Sequence, residues 1–288
     1  MDAKPQNAKP QNATPQNATP QNAKPQNAKP QFEDKSIENV PGHWLLARLG
    51  KRVLRPGGLA LTQEALSHAH IPGKQVVELA CGIGRTAQEI MAQKPSYYTG
   101  IDANADSVAI VSNLVGNKGT CKQAMAEDTG LEAESCDVCV CEAMLTMQTP
   151  EHKAQILREV ARILRPGGYF VSHELGLCPD TLDEKKAVEI KADVSRAIRV
   201  NAKPLRASEW KQLVEDAGLD VVWTNSAPMD LLNPQRTIAD EGICGAIRIM
   251  RNVLTIPGAR KRVMEMRSVF TRHHDNLAGI AFVAQKRR

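Results

Sequence analysis

Residues 78–84, Glu78-Leu79-Ala80-Cys81-Gly82-Ile83-Gly84, set two glycines between an apolar run and a helix-like pattern. Glycine lets a backbone turn tightly and approach a ligand with no Cβ in the way. A helix that begins there offers unpaired N–H groups to polar or anionic atoms. Asp102 ends the segment Tyr98-Thr99-Gly100-Ile101-Asp102, at about the 20-residue spacing from a glycine turn at which an acid can accept hydrogen bonds from ribose hydroxyls. An acid after a strand is often only a helix cap, but Asn104 and Asp106 can share that work here. Gly82-Ile83-Gly84 lacks a third glycine, with Ala87 in its place, a replacement that the dinucleotide fingerprint tolerates. From these residues alone, a dinucleotide enzyme stays open beside other adenosine-bearing cofactors.

Further candidates follow the later strands. Glu142, His173 and Glu174 stand where a substrate would be met, with His173 as a candidate base oriented by either acid. Met144, Leu145 and Met147 would make a neighbouring pocket partly apolar and adaptable. Trp44 either covers a ligand or packs in the core. Cys136, Cys139 and Cys141 lack a second Cys or His pair at zinc-ligand spacing, so buried packing is expected and no metal is assigned. His273 and His274 read as surface residues near a helix end.

These groups need a scaffold, and the hydrophobic pattern supplies one. Strands are expected at residues 76–80, 97–102, 120–124, 137–141, 169–174, 219–224 and 279–285. Helical periodicity covers residues 43–55, 62–70, 85–93, 105–115, 151–164, 180–200 and 208–217, the last capped by Ser208 and stopped by Gly218. The alternation predicts a doubly wound α/β domain with a seven-stranded, mostly parallel sheet. Insertions at 180–205 and 228–276 interrupt it, the second as two helices near 237–254 and 259–270. Helical cap insertions over the carboxyl edge of the sheet are expected, because ligands bind there in open α/β folds.

Residues 4–31 repeat Pro-Gln-Asn-Ala followed by Lys or Thr. Proline in each unit forbids a helix, and large apolar side chains are missing, so residues 1–31 read as a disordered tail and 32–288 as the folded domain. The formal charge of +5 is carried largely by lysines in that tail and by Lys286, Arg287 and Arg288. The body is nearly balanced, which gives nucleic-acid binding little support. No apolar run approaches the roughly 18–20 residues of a membrane span, so membrane insertion is not expected. Seven cysteines and no secretory pattern suggest a reducing cytoplasm.

Taken in order, the motifs resemble those of class I S-adenosylmethionine-dependent methyltransferases. The first motif is matched by Glu78-x-Ala80-Cys81-Gly82-x-Gly84, and the ribose-binding acid by Asp102. The adenine-packing segment is matched by Ala126-Glu127-Asp128, the fourth strand by 137–142, and the turn before the fifth strand by Arg165-Pro166-Gly167-Gly168. The resemblance implies a Rossmann-like fold with S-adenosyl-L-methionine held by Glu78, Ala80, Cys81, Gly82, Gly84, Asp102, Ala126, Glu127 and Glu142. Catalytic roles are expected for His173 and Glu142. Two positions depart from the pattern. Ala80 replaces a glycine, a change that is tolerated if φ is negative there, and Met125 stands where an Asp often meets adenine. The Asn/Asp-Pro-Pro-Tyr segment of base-amine methylation is replaced by Glu142-Ala143-Met144-Leu145. A small-molecule methyl acceptor is therefore favoured, with an RNA or protein methyltransferase or a non-catalytic scaffold as alternatives.

Overall fold

The computed structural model describes residues 36–288, so the repeat read over 4–31 lies outside the described residues. The strands are β1 (Gln75–Leu79), β2 (Tyr97–Asp102), β3 (Gly119–Gln123), β4 (Cys136–Glu142), β5 (Leu164–Leu177), β6 (Leu205–Arg206), β7 (Leu219–Pro228) and β8 (Leu277–Lys286). The helices are α1 (Gly42–Arg48), α2 (Gly58–Ser67), α3 (Arg85–Ala92), α4 (Ala105–Val115), α5 (Pro150–Ile163), α6 (Glu184–Ile198), α7 (Ala207–Glu215), α8 (Pro234–Thr255) and α9 (Ala259–Arg272).

The main sheet runs β3-β2-β1-β4-β5-β8-β7, and the two-residue β6 pairs with β5. β8 is antiparallel to both neighbours, β5 and β7, while the other pairings are parallel. The seven expected strands are all present; the eighth is too short for a periodic signal. Successive residues of a strand face opposite sides, and β1 is apolar on both. Val77 and Leu79 pack with Ile156, Leu157 and Trp210 of α5 and α7. Val76 packs with Leu61, Leu66, Ile90 and Val111 of α2, α3 and α4. Both faces are covered, as a parallel sheet requires. Cys136, Cys139 and Cys141 are buried in the first of these clusters, and all seven cysteines are free thiols.

The chain leaves β1 toward β2 and β3, then returns to place β4 on the other side of β1. That reversal opens a crevice beyond the strand tips, where open α/β sheets bind ligands. A third apolar cluster covers part of this edge, joining Leu45 and Leu46 of α1, Leu49 just after it, Ile190 and Val194 of α6, and Met266 and Phe270 of α9 to Leu175 and Leu177 of β5. Trp44 is half-buried against it. Among the described residues, no helix is long and apolar enough to cross a membrane.

Several local expectations change. The first helix stops at Arg48 rather than running to 55, because Gly50 takes φ +94°. The freed N–H groups of Arg52 and Val53 donate to Glu241 Oε1 of α8, each at 2.7 Å. Ser208 does not cap α7. The Glu209 carboxylate instead accepts the Arg206 N–H at 2.7 Å, and Asp180 accepts from Ala207 and Ser208. Gly242, at φ +73°, breaks α8 into two segments. His273 is buried, its Nε2 2.9 Å from Asp193, whereas His274 is exposed.

Candidate functional site

The glycine loop and Asp102 meet at neighbouring strand tips. β1 and β2 are in parallel register, with Leu79 opposite Ile101, and the Ala80 N–H donates to Ile101 O at 2.7 Å. Asp102 Oδ2 then accepts the Gly82 N–H and Oδ1 the Asn104 N–H, both at 2.8 Å. Burial pushes the Asp102 carboxyl up from its ordinary range, and the two N–H bonds pull it back. Asn104 caps α4 by accepting from Asp106 and Ser107, leaving Asp102 to brace the loop.

A Cβ on Gly82 would meet no atom closer than Ala80 O at 3.8 Å, so that side of the loop is free for a ligand. Gly84 is needed for the opposite reason. Its φ is +78°, and a Cβ would lie 3.1–3.2 Å from Leu114 and Val111 of α4. Ala80 adopts φ +54°, so the condition of a negative φ is not met. Its methyl group is tolerated in a left-handed conformation that costs a non-glycine residue about 1–2 kcal/mol.

Glu78 and Cys81 are buried beneath this loop. Tyr98 Oη donates to Glu78 Oε2 at 2.6 Å. Burial pushes the Glu78 carboxyl up to about 8, so it is mainly protonated at neutral pH. Ala126 and Glu127 are half-buried in the turn after β3, close to the β2 tip through the bond from Ala124 N–H to Asp102 O at 3.1 Å. Met125 beside them is exposed.

Glu142, at the end of β4, comes together with its register partner His173 inside β5, but within a network that contact with the solvent scarcely reaches. Glu142 accepts from Arg55, from the hydroxyl of Thr62 at 2.5 Å, and from Thr86. Its side chain is 6% exposed and that of Arg55 is 5%. Burial would push the Glu142 carboxyl up; the Arg55 charge, with His173 and Thr62, outweighs it and holds the group at about 2. His173 Nδ1 lies 3.0 Å from Thr62 Oγ1 and 3.6 Å from Glu142. Thr62 already gives its one proton to Glu142, so Nδ1 carries the hydrogen of that bond. Among the described residues Nε2 has no hydrogen-bond partner, and it sits against Gly57, where a Cβ would be 3.1 Å away. His173 is fully buried. The turn at Gly57 covers its ring. Glu174, on the other side of β5, is also buried; it accepts from the backbone of Met144, Leu145 and Thr146 and orders the loop after β4.

That loop forms one wall of a narrow cavity of about 80 Å³. Ala143, Thr146 and Met147 face Leu46, Leu54, Val194, Ile198, Met266 and Phe270 of the cap, with His43 of α1 as the ionisable side chain in the lining. Burial holds the His43 imidazole down at about 4, so it is neutral at physiological pH. Sequence reading passed over His43 because it belongs to no motif; its only signal was its place next to Trp44. Arg55 and Thr62 were missed for the same reason.

A mostly parallel α/β sheet, a glycine turn and an acid at the adjoining tip define a protein that binds an adenosine-bearing cofactor at a Rossmann-like switch point. The methyltransferase domain family matches residues 77–172. A Haemophilus influenzae protein of uncharacterised function is 34% identical over 251 residues, spanning 85% of this chain and 98% of its own. The ubiquinone biosynthesis O-methyltransferase of Burkholderia pseudomallei is 30% identical over 165 residues, 54% of this chain and 68% of that one. The chain spans about half the length of several other methyltransferase relatives. Among solved structures, Haemonchus contortus phosphoethanolamine N-methyltransferase 2 in complex with S-adenosyl-L-methionine superposes with a TM-score of 0.63 at 15% identity, over 86% of this chain and 57% of that one. The chain belongs to the class I S-adenosylmethionine-dependent methyltransferases. It is an enzyme of the small-molecule branch, with S-adenosylmethionine as its cofactor.

Proposed function

We propose that the enzyme methylates a largely apolar small molecule bearing a hydroxyl group, seated in the cavity between the β4 loop and the helical cap. The observation that carries this reading is the lining of that cavity, apolar on nearly every side and with His43 as its ionisable group. An apolar wall with few polar groups favours a ligand of matching character. The O-methyltransferase activity named for the Burkholderia relative supports an oxygen acceptor.

Gly82 and Gly84 would cradle the cofactor, Asp102 would accept its ribose hydroxyls, and Ala126 and Glu127 would flank its adenine. When bound, S-adenosylmethionine supplies an electrophilic methyl group on sulfur. The protein's task is to align the acceptor and exclude water, which accounts for much of such a barrier. The neutral imidazole of His43 accepts a hydrogen bond from the acceptor hydroxyl and orients its oxygen. His173 and Glu142 are positioning residues: with Arg55, Thr62 and Thr86 they tie α2, α3 and β4 together around the crevice. Glu78 supports the loop from beneath. The protein works in a reducing cytoplasm.

The test uses methyl-labelled cofactor with the enzyme and a whole-cell extract. Label should enter a product that partitions into organic solvent. Its recovery in RNA or precipitated protein instead would refute this reading.

A further inference from the structure

The cap also carries a surface that methyl transfer does not use. Beyond the kink at Gly242, Ile243, Ile247, Met250 and Leu254 of α8 follow the i, i+4, i+7, i+11 spacing that puts them on one helix face. They are 69%, 64%, 63% and 66% exposed, and Met264 of α9 is 53% exposed. Apolar residues this exposed, and contiguous rather than scattered, mark an interaction site. Together with Ile249, Val253 and Val263 they line a groove of about 340 Å³ between the two helices.

The charges around the stripe indicate what covers it. Over residues 243–272 the exposed basic side chains are Arg248, Arg251, Arg260, Lys261, Arg267 and Arg272, against one exposed acid, Glu265. The near balance of the whole body conceals this local excess. A second copy packed face to face would bring like charge against like charge. The repeat at residues 4–31 has no large apolar side chain to fill the groove. An apolar stripe with flanking arginines fits an anionic lipid surface, into which such a helix sinks its apolar face while the cations meet the headgroups.

We propose that the α8–α9 face docks the enzyme peripherally on an anionic lipid bilayer. Leu46 of α1 lines both this groove and the acceptor cavity. The docked enzyme would therefore hold that cavity close to apolar molecules dissolved in the bilayer. Docking itself does not depend on the identity of the acceptor.

The full-length protein should co-sediment with vesicles of phosphatidylglycerol and phosphatidylcholine at low salt, and much less with phosphatidylcholine alone or at high salt. Arg248→Ala and Arg251→Ala should each weaken partitioning by about fivefold. An Ile247→Glu, Met250→Glu double variant should abolish it, with thermal unfolding and affinity for S-adenosylmethionine unchanged. No binding to anionic vesicles, or binding that these variants leave intact, would overturn the proposal. So would a dimer in light scattering that the double variant converts to monomer, which would assign the face to a second copy of the chain.

Discussion

Replacing Glu142 by Gln should destabilise the fold by about 3 kcal/mol, although the substitution keeps the side chain's shape. The wild-type carboxyl is held at about 2, against an ordinary 4.5. A gap of roughly 2.5 pKa units corresponds to about 3 kcal/mol of folding free energy. The same magnitude follows from the partner: Arg55, with its side chain 5% exposed, would become a buried cation without its anion, a loss of about 3–5 kcal/mol. Because the folded pKa is depressed, this stability is present above the unfolded value and disappears as pH falls from about 4.5 through 2. Urea unfolding followed by tryptophan fluorescence measures it. The gap between wild type and Glu142→Gln should be widest near neutral pH and close on acidification. A double variant, Glu142→Gln with Arg55→Met, should recover much of the loss, because both charges leave together. If the single variant is within about 0.5 kcal/mol of wild type, the size ordinary for a surface substitution, the network does not hold the crevice as described. Strict additivity of the two substitutions would contradict it equally.

Three further outcomes are expected. Gly84→Ala should destabilise by about 1–2 kcal/mol, the cost of a left-handed non-glycine residue, and should weaken cofactor binding in calorimetry, since its Cβ would press on Leu114 and Val111. His43→Ala should lower kcat/KM for the acceptor while leaving cofactor affinity intact, and wild-type turnover should rise with pH through about 4 and then level. The folded pKa of His43 lies below its unfolded 6.5, so its neutral burial favours folding above that value, and this contribution is lost as pH falls from 6.5 toward 4; His43→Gln should flatten that part of the stability profile.

What could be read from sequence was local or periodic. β1, β4 and β8 announce themselves as apolar runs, and the glycine loop and Asp102 belong to one short βαβ unit whose geometry follows from its connection rule. The Gly82–Asp102 contact was therefore legible in advance. The Arg55–Glu142 pair was not, because its partners are 87 residues apart and no periodicity relates them. Helix ends failed where the backbone took another route to satisfy its N–H groups: Gly50 ended α1 early, and Asp180, distant in sequence, took the capping place given to Ser208. Ala80 differs in kind: its tolerance was tied to a negative φ, and it sits at a positive one. Glycine preference at positive φ is a matter of energy, and a single methyl group can occupy that region where the loop around it is fixed. His173 was expected at the end of its strand, but β5 runs on to Leu177, and sequence could not show that the turn at Gly57 closes over its ring.

On the proposed reading, the loop at Gly82 and the carboxylate of Asp102 together hold the adenosine of S-adenosylmethionine. Isothermal titration of the cofactor into wild type and into Asp102→Asn tests it directly. The wild type should bind saturably, and the variant, still folded by circular dichroism, should lose about 1–3 kcal/mol of affinity with its charge-assisted bonds. Equal affinity in the two proteins, or no heat of binding in the wild type, would contradict it.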